Sequence, residues 1–196
     1  MNDLSKYYEH RAQMFTADLL TYDTDGAVAW AIQKWSPGAN HAGMVLHLPE
    51  YAGEFHRRWT MEATGHGVRM AFLSELLEKV NGEVWWHPLR PDIPDLEMKR
   101  NAAGCWALER QGVVKYDFKG LLQFPFKKVN ADINRLVCSE YVQFSWANGK
   151  IIPMLVGAVM NKPSDLPLLD VTLPPTRIVC HKPFVQVPSE FATVNP

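Results

Sequence analysis

Val137-Cys138-Ser139-Glu140-Tyr141-Val142 is the stretch on which the reading of this chain turns. It sets a cysteine in the first turn of a helix that runs to Asn148-Gly149, with Cys138, Val142 and Ser145 on one face at i, i+4, i+7 spacing. Backbone N–H groups at a helix start favour the thiolate, the reactive form of cysteine. Far upstream, Asn40-His41-Ala42-Gly43-Met44-Val45-Leu46 places a histidine where a loop enters an apolar strand. A helix-start cysteine and a strand-edge histidine can meet in a fold as a nucleophile and its base.

The 196 residues suit one domain, 1–196, with a single substantial core. A hydrophobic content of 47% with seven Trp and nine Phe excludes a disordered chain. A net charge of −1 without a basic stripe argues against nucleic-acid binding. No apolar run spans a bilayer and the N-terminus shows no signal-peptide core, so the expected location is cytoplasmic. Cys105, Cys138 and Cys180 form no disulfide framework, and their odd number leaves a free thiol.

The pattern predicts a short polar helix over 6–14, a strand at Asp18-Leu19-Leu20-Thr21-Tyr22, and a helix from Ala27 to Trp35 with Val28, Ala31, Ile32 and Trp35 on one face. Strands follow at Gly43 to Leu48, Arg57 to Ala63, Val68 to Met70 and Val84 to His87, with a Ser74-capped helix before the last. A helix from about Asp95 to Arg110 precedes the loop at Tyr116-Asp117-Phe118-Lys119-Gly120, and residues 171–196 read as a proline-rich tail. Strands clustered in the first half with helices on either side predict an α+β fold, an antiparallel sheet packed against helices.

Each chemical candidate has a plainer counterpart. Cys138 alone reads as a small core residue. Cys105, among Ala102, Ala103, Gly104 and Ala107, reads as core packing, and Cys180 beside His181 is a weak rival nucleophile. His41 alone reads as a surface histidine, and His47, on the same strand face if alternation holds, is the rival base. Glu62 is an acid inside the apolar strand Trp59-Thr60-Met61-Glu62-Ala63. Burial of a carboxylate requires a partner, which an imidazole would supply; an edge strand with Glu62 in water fits the pattern equally well. His41, His47, His56 and His66 with Glu50, Glu54 and Glu62 raise a metal site, but no His-Glu-x-x-His helix or paired-cysteine spacing occurs, and no metal or cofactor is expected.

The stretch around His41 resembles the Ser-His-Val-Gly-Ile-Val signature of the YiiX/YaeF-like group of circularly permuted papain-fold enzymes, relatives of the NlpC-type cysteine peptidases. Met61-Glu62-Ala63-Thr64-Gly65-His66-Gly67-Val68 resembles that group's next strand and turn, Tyr116 to Leu122 a segment ahead of the nucleophile, and Val137 to Val142 the nucleophile helix. Asp18-Leu19-Leu20 and Pro163-Ser164-Asp165-Leu166 fit weaker landmarks, so the matches run in order from about residue 17 to about 170. The chain departs from the pattern at Ala17, where the group often has glycine, and lacks the export signal of many relatives.

The resemblance implies a papain-like core, permuted so that the histidine strand precedes the cysteine helix. It implies Cys138 as nucleophile, His41 as its base and Glu62 as the group orienting His41. The expected activity is that of a cysteine amidase or peptidase cleaving an amide in a small peptide or peptidoglycan-like substrate through an acyl-enzyme. A thiol acyltransferase or lipid hydrolase acting on an acylated substrate is the alternative, with Trp85-Trp86 as a candidate apolar groove, and a non-catalytic binding module is the third reading. The Cys138 N–H is the expected oxyanion donor, and Glu140, opposite on the helix, reads as structural.

Overall fold

Ala42, Met44 and Leu46 alternate with His41, Gly43 and Val45 along one strand, and the two sets meet different helical layers. The computed structural model describes residues 2–34, 36–117, 135–154 and 161–179. Six strands form one antiparallel sheet: β1 (Leu19–Thr24), β2 (His41–Leu46), β3 (Trp59–Thr64), β4 (Gly67–Phe72), β5 (Gly82–His87) and β8 (Thr176–Val179), in the order β4-β3-β2-β1-β5-β8. Two short strands, β6 (Lys115–Tyr116) and β7 (Arg135–Leu136), pair in parallel and lead into the cysteine helix.

The helices are α1 (Ser5–His10), α2 (Ala27–Gln33), α3 (Pro49–Ala52), α4 (Leu73–Lys79), α5 (Leu96–Leu108) and α6 (Cys138–Asn148). On one face of the sheet, Met44, Met61 and Trp59 pack with Trp106 of α5 and with Tyr141 and Phe144 of α6. On the other, Leu20, Tyr22 and Val45 pack with Tyr7 of α1, Leu73 and Leu77 of α4, and Ile178 of β8. The α+β architecture is therefore an antiparallel sheet with helices on both faces. Its apolar core includes Leu4, Tyr7 and Ile178.

A buried ion pair joins the layers. Asp18, fully buried at the mouth of β1, accepts hydrogen bonds from Arg100 Nη1 of α5 (2.7 Å), Trp86 Nε1 of β5 (3.0 Å) and the backbone N–H groups of Phe15 and Leu89 (3.0 Å each). Burial pushes the Asp18 carboxyl up, and Arg100 works against that shift. The preceding residue, Ala17, is left-handed at φ 71, where only glycine is free of steric cost. Its carbonyl accepts from Trp146 Nε1 at 2.9 Å and its N–H donates to Val45 at 2.9 Å. This backbone is what the resemblance's glycine would suit.

Several expectations change in three dimensions. Ser74 lies inside α4, which Phe72 caps with extended backbone. Cys105 is exposed, because α5 turns Ala103, Gly104, Trp106 and Ala107 inward. Trp86 is core and bound to Asp18, while Trp85 is half-buried beside the guanidinium of Arg177, so neither forms an open groove. Ala31 of α2 is exposed and Ile32 buried. Trp35, residues 118–122, Cys180 and His181 lie outside the described residues. No described helix is long and apolar enough to cross a membrane.

Candidate active site

The start of α6 is fixed by its own sequence. Val137 is extended at φ −86 and ψ 167, and its N–H donates to Glu140 Oε2 at 3.1 Å, the acidic half of a capping arrangement. Glu140 thus holds the helix start, as its position opposite Cys138 suggests. Cys138 follows as the first helical residue, 2% exposed, where the leading N–H groups of a helix have no partner within it. Tyr116 pairs with Leu136 in β6–β7, two residues ahead of the cysteine.

His41 is the first residue of β2. Its ring packs 5.2 Å from that of Tyr22, its partner across β1. The strand alternation puts it on the Tyr22 face, and its position at the end of the sheet brings it close enough to Cys138 for the two to interact electrostatically. The other side of the ring is held by Glu62: His41 Nε2 and Glu62 Oε2 lie 2.5 Å apart. With Nε2 held by Glu62, Nδ1 is the ring nitrogen left for another contact. Gly43 makes room for this arrangement, since a Cβ there would stand 3.3 Å from both Glu62 Cβ and Thr60 Oγ1.

Glu62 is 2% exposed, and the carboxylate needs the second partner that the structure supplies. Arg69 Nε (3.0 Å) and Nη2 (2.8 Å) both donate to Glu62 Oε1. Burial alone would raise the carboxyl; His41 and then Arg69 outweigh it and hold Glu62 below the usual range. Burial likewise opposes a charged His41, but Cys138 and Glu62 push it from 6.5 up to about 10. Beyond the Cys138 sulfur, the arrangement is a line of alternating charge: imidazolium, carboxylate, guanidinium.

Arg69 is the member that the sequence reading missed. The signal was present, because the hairpin turn at Thr64-Gly65-His66-Gly67 pairs Thr64 with Gly67, Ala63 with Val68 and therefore Glu62 with Arg69. The rival base is elsewhere. His47 lies beyond the far end of β2, its ring edge-on to Phe15 at 6.0 Å, and burial with Arg58 and His56 lowers its affinity for a proton. His66 is exposed in the hairpin turn.

His41, Glu62, Arg69 and Tyr116 border a cavity of about 750 Å³ whose remaining wall includes Ile32, Ala71, Leu76 and Val80. It is the imidazole, not the sulfur, that faces this space, since Cys138 is not part of the wall. Among the described residues no three His, Cys, Asp or Glu side chains converge as metal ligands. Cys138 and Glu62 both act on the His41 ring, whose Nε2 is already engaged by Glu62.

No family model and no curated protein matches the chain. Among solved structures, it is similar to the crystal structure of the metalloprotein YiiX from Escherichia coli O157:H7, with a TM-score of 0.53 and 20% identity over 73% of this chain and 69% of that one. At that identity the likeness is one of fold: the chain has a YiiX-like α+β fold.

Proposed function

We propose that the chain is a cysteine-dependent hydrolase, an amidase or peptidase on a single circularly permuted papain-like core. One observation carries the reading: Cys138 at a helix N-terminus, in electrostatic contact with His41, whose Nε2 meets the buried carboxylate of Glu62. The permutation is supported by chain order, the histidine strand β2 preceding the cysteine helix α6. YiiX is a metalloprotein, but its metal is not carried over to this chain, because no set of donors converges among the described residues.

The chemistry follows from the charges. The Cys138 thiolate attacks an amide carbonyl, forming a C–S bond while the C=O π electrons move to oxygen. The Cys138 N–H, free of an intrahelical partner, stabilises that oxyanion. As the tetrahedral intermediate collapses, the C–N bond breaks and His41 gives its proton to the leaving nitrogen. The thioester is then attacked by water, whose proton returns to His41, and the acid departs with the thiolate restored. Glu62 keeps the ring oriented and its positive charge stabilised throughout.

The cavity wall favours a second reading, transfer or hydrolysis of an acyl group, because Ile32, Ala71, Leu76 and Val80 offer apolar surface beside His41. A panel of dipeptide amides and acyl esters tests both, with intact-mass detection of an adduct on Cys138. Turnover of amides that Cys138→Ala abolishes supports the amidase; turnover confined to acyl esters supports the second reading. Equal behaviour of the wild-type chain and Cys138→Ala, with no adduct, overturns both in favour of a binding module.

A further inference from the structure

Arg69 is half exposed, at 51% for its side chain, yet it spends two donors on one oxygen of a carboxylate that is 2% exposed. A surface arginine gains little from an ordinary ion pair. Here the partner is desolvated, and its second oxygen is the one that meets His41. The pairing is also built into the sheet: Glu62 and Arg69 stand directly opposite in the β3–β4 hairpin. The two donors of one guanidinium edge converge on Oε1, holding that oxygen from two directions while supplying a positive charge.

Resting on the function proposed above, we propose that Arg69 is a positioning residue for His41 that acts through Glu62. Its paired donors lock Oε1 so that Oε2 is presented to the imidazole, and its positive charge offsets part of the carboxylate's pull on the imidazole proton. Without that offset, His41 would hold its proton more tightly and surrender it less readily to a leaving group. The other groups facing His41 and Glu62 are Tyr22 from β1 and Cys138 from α6; Tyr116 of β6, Glu75 and Lys79 of α4 and Asp25 line the same cavity. Burial keeps both tyrosines neutral, so they leave the balance to the charged line itself.

The test is the titration of His41 in ¹⁵N-histidine-labelled protein, with His41→Gln to assign its resonance among the seven histidines. In the wild-type chain the imidazole stays protonated to about pH 10. Arg69→Gln moves the midpoint up, on the order of one pH unit, because a like charge near the imidazolium is gone. Arg69→Lys retains the charge and so retains the midpoint, although one of the paired donors is lost. A role confined to folding would lower the thermal midpoint without moving either titration. A high wild-type midpoint that Arg69→Gln leaves in place would overturn this inference alone, as would an Arg69→Lys midpoint shifted as far as that of Arg69→Gln. An ordinary wild-type midpoint near 6.5 would remove the ion pair, and with it both this inference and the hydrolase reading.

Discussion

Glu62→Gln removes one charge and almost no volume, and the surroundings of the side chain determine the outcome. In the native chain Oε2 meets His41 Nε2 at 2.5 Å and Oε1 accepts two bonds from Arg69. Both neighbours are donors, but a glutamine has only one acceptor end. If its oxygen faces His41, its amide N–H groups oppose Arg69, which is half exposed and can swing into water. If its oxygen faces Arg69, His41 must accept at Nε2 and carry its proton at Nδ1, against the sulfur, the wrong tautomer for a base. The first arrangement forfeits a charge-assisted hydrogen bond, about 1.5–3 kcal/mol, which is roughly 10- to 150-fold in kcat/KM. The second costs far more, on the order of 10⁴-fold by analogy with the serine-protease triad. The variant should therefore remain folded and lose about 10-fold or more. Because His41 loses its carboxylate, it also sheds its proton more easily, and the alkaline limb of the pH–rate profile should fall from about 10. The assay is kcat/KM against pH for both chains on the best substrate of the panel, with thermal unfolding as the control for folding. Wild-type kcat/KM with an unmoved alkaline limb would refute the role of Glu62.

Other expectations rest on the same geometry. Near pH 6 iodoacetamide should modify Cys138 before Cys105, although Cys105 is exposed and Cys138 is not, because the proposed function requires His41 and the helix N-terminus to activate Cys138; mass spectrometry showing Cys105 first would contradict this. Arg100→Met strands the buried Asp18 carboxylate and should destabilise the chain by about 3–5 kcal/mol in urea unfolding, a loss under about 1 kcal/mol counting against the ion pair. His41 retains a proton in the folded chain that an ordinary histidine sheds near 6.5. Its stabilisation is therefore complete below that value and lost as the pH rises towards about 10. Thermal midpoints measured at pH 7 and pH 10 should consequently fall further in the wild-type chain than in Glu62→Gln. Gly82→Ala forces a side chain into φ 143 and drives its Cβ against the Asp23 carbonyl, so calorimetry should show a clear drop in Tm.

What the sequence settled by itself is local. The helix start at Cys138 and its end at Asn148 follow from an extended Val137, the acid at Glu140 and the Asn148-Gly149 stop. The apolar runs give β2 and β3, and an acid within one of them left two readings, a buried partner or an edge strand in water, between which the burial of Glu62 decides. Which partner answers was decided only by the sheet. Register brings Arg69 opposite Glu62 seven residues away, and strand order brings Tyr22, His41 and Glu62 side by side from three strands. Helix rotation turned Cys105 out to solvent, and strand length put His47 at the wrong end of β2, neither of which a residue's immediate neighbours reveal. Asp18 is the clearest case: three of its four bonds come from residues 68 to 82 positions away, so its sequence neighbours carry little trace of the contacts that hold it. Local free energies set where elements begin and end, whereas the pairing of charges across the site depends on contacts that exist only once the sheet has closed.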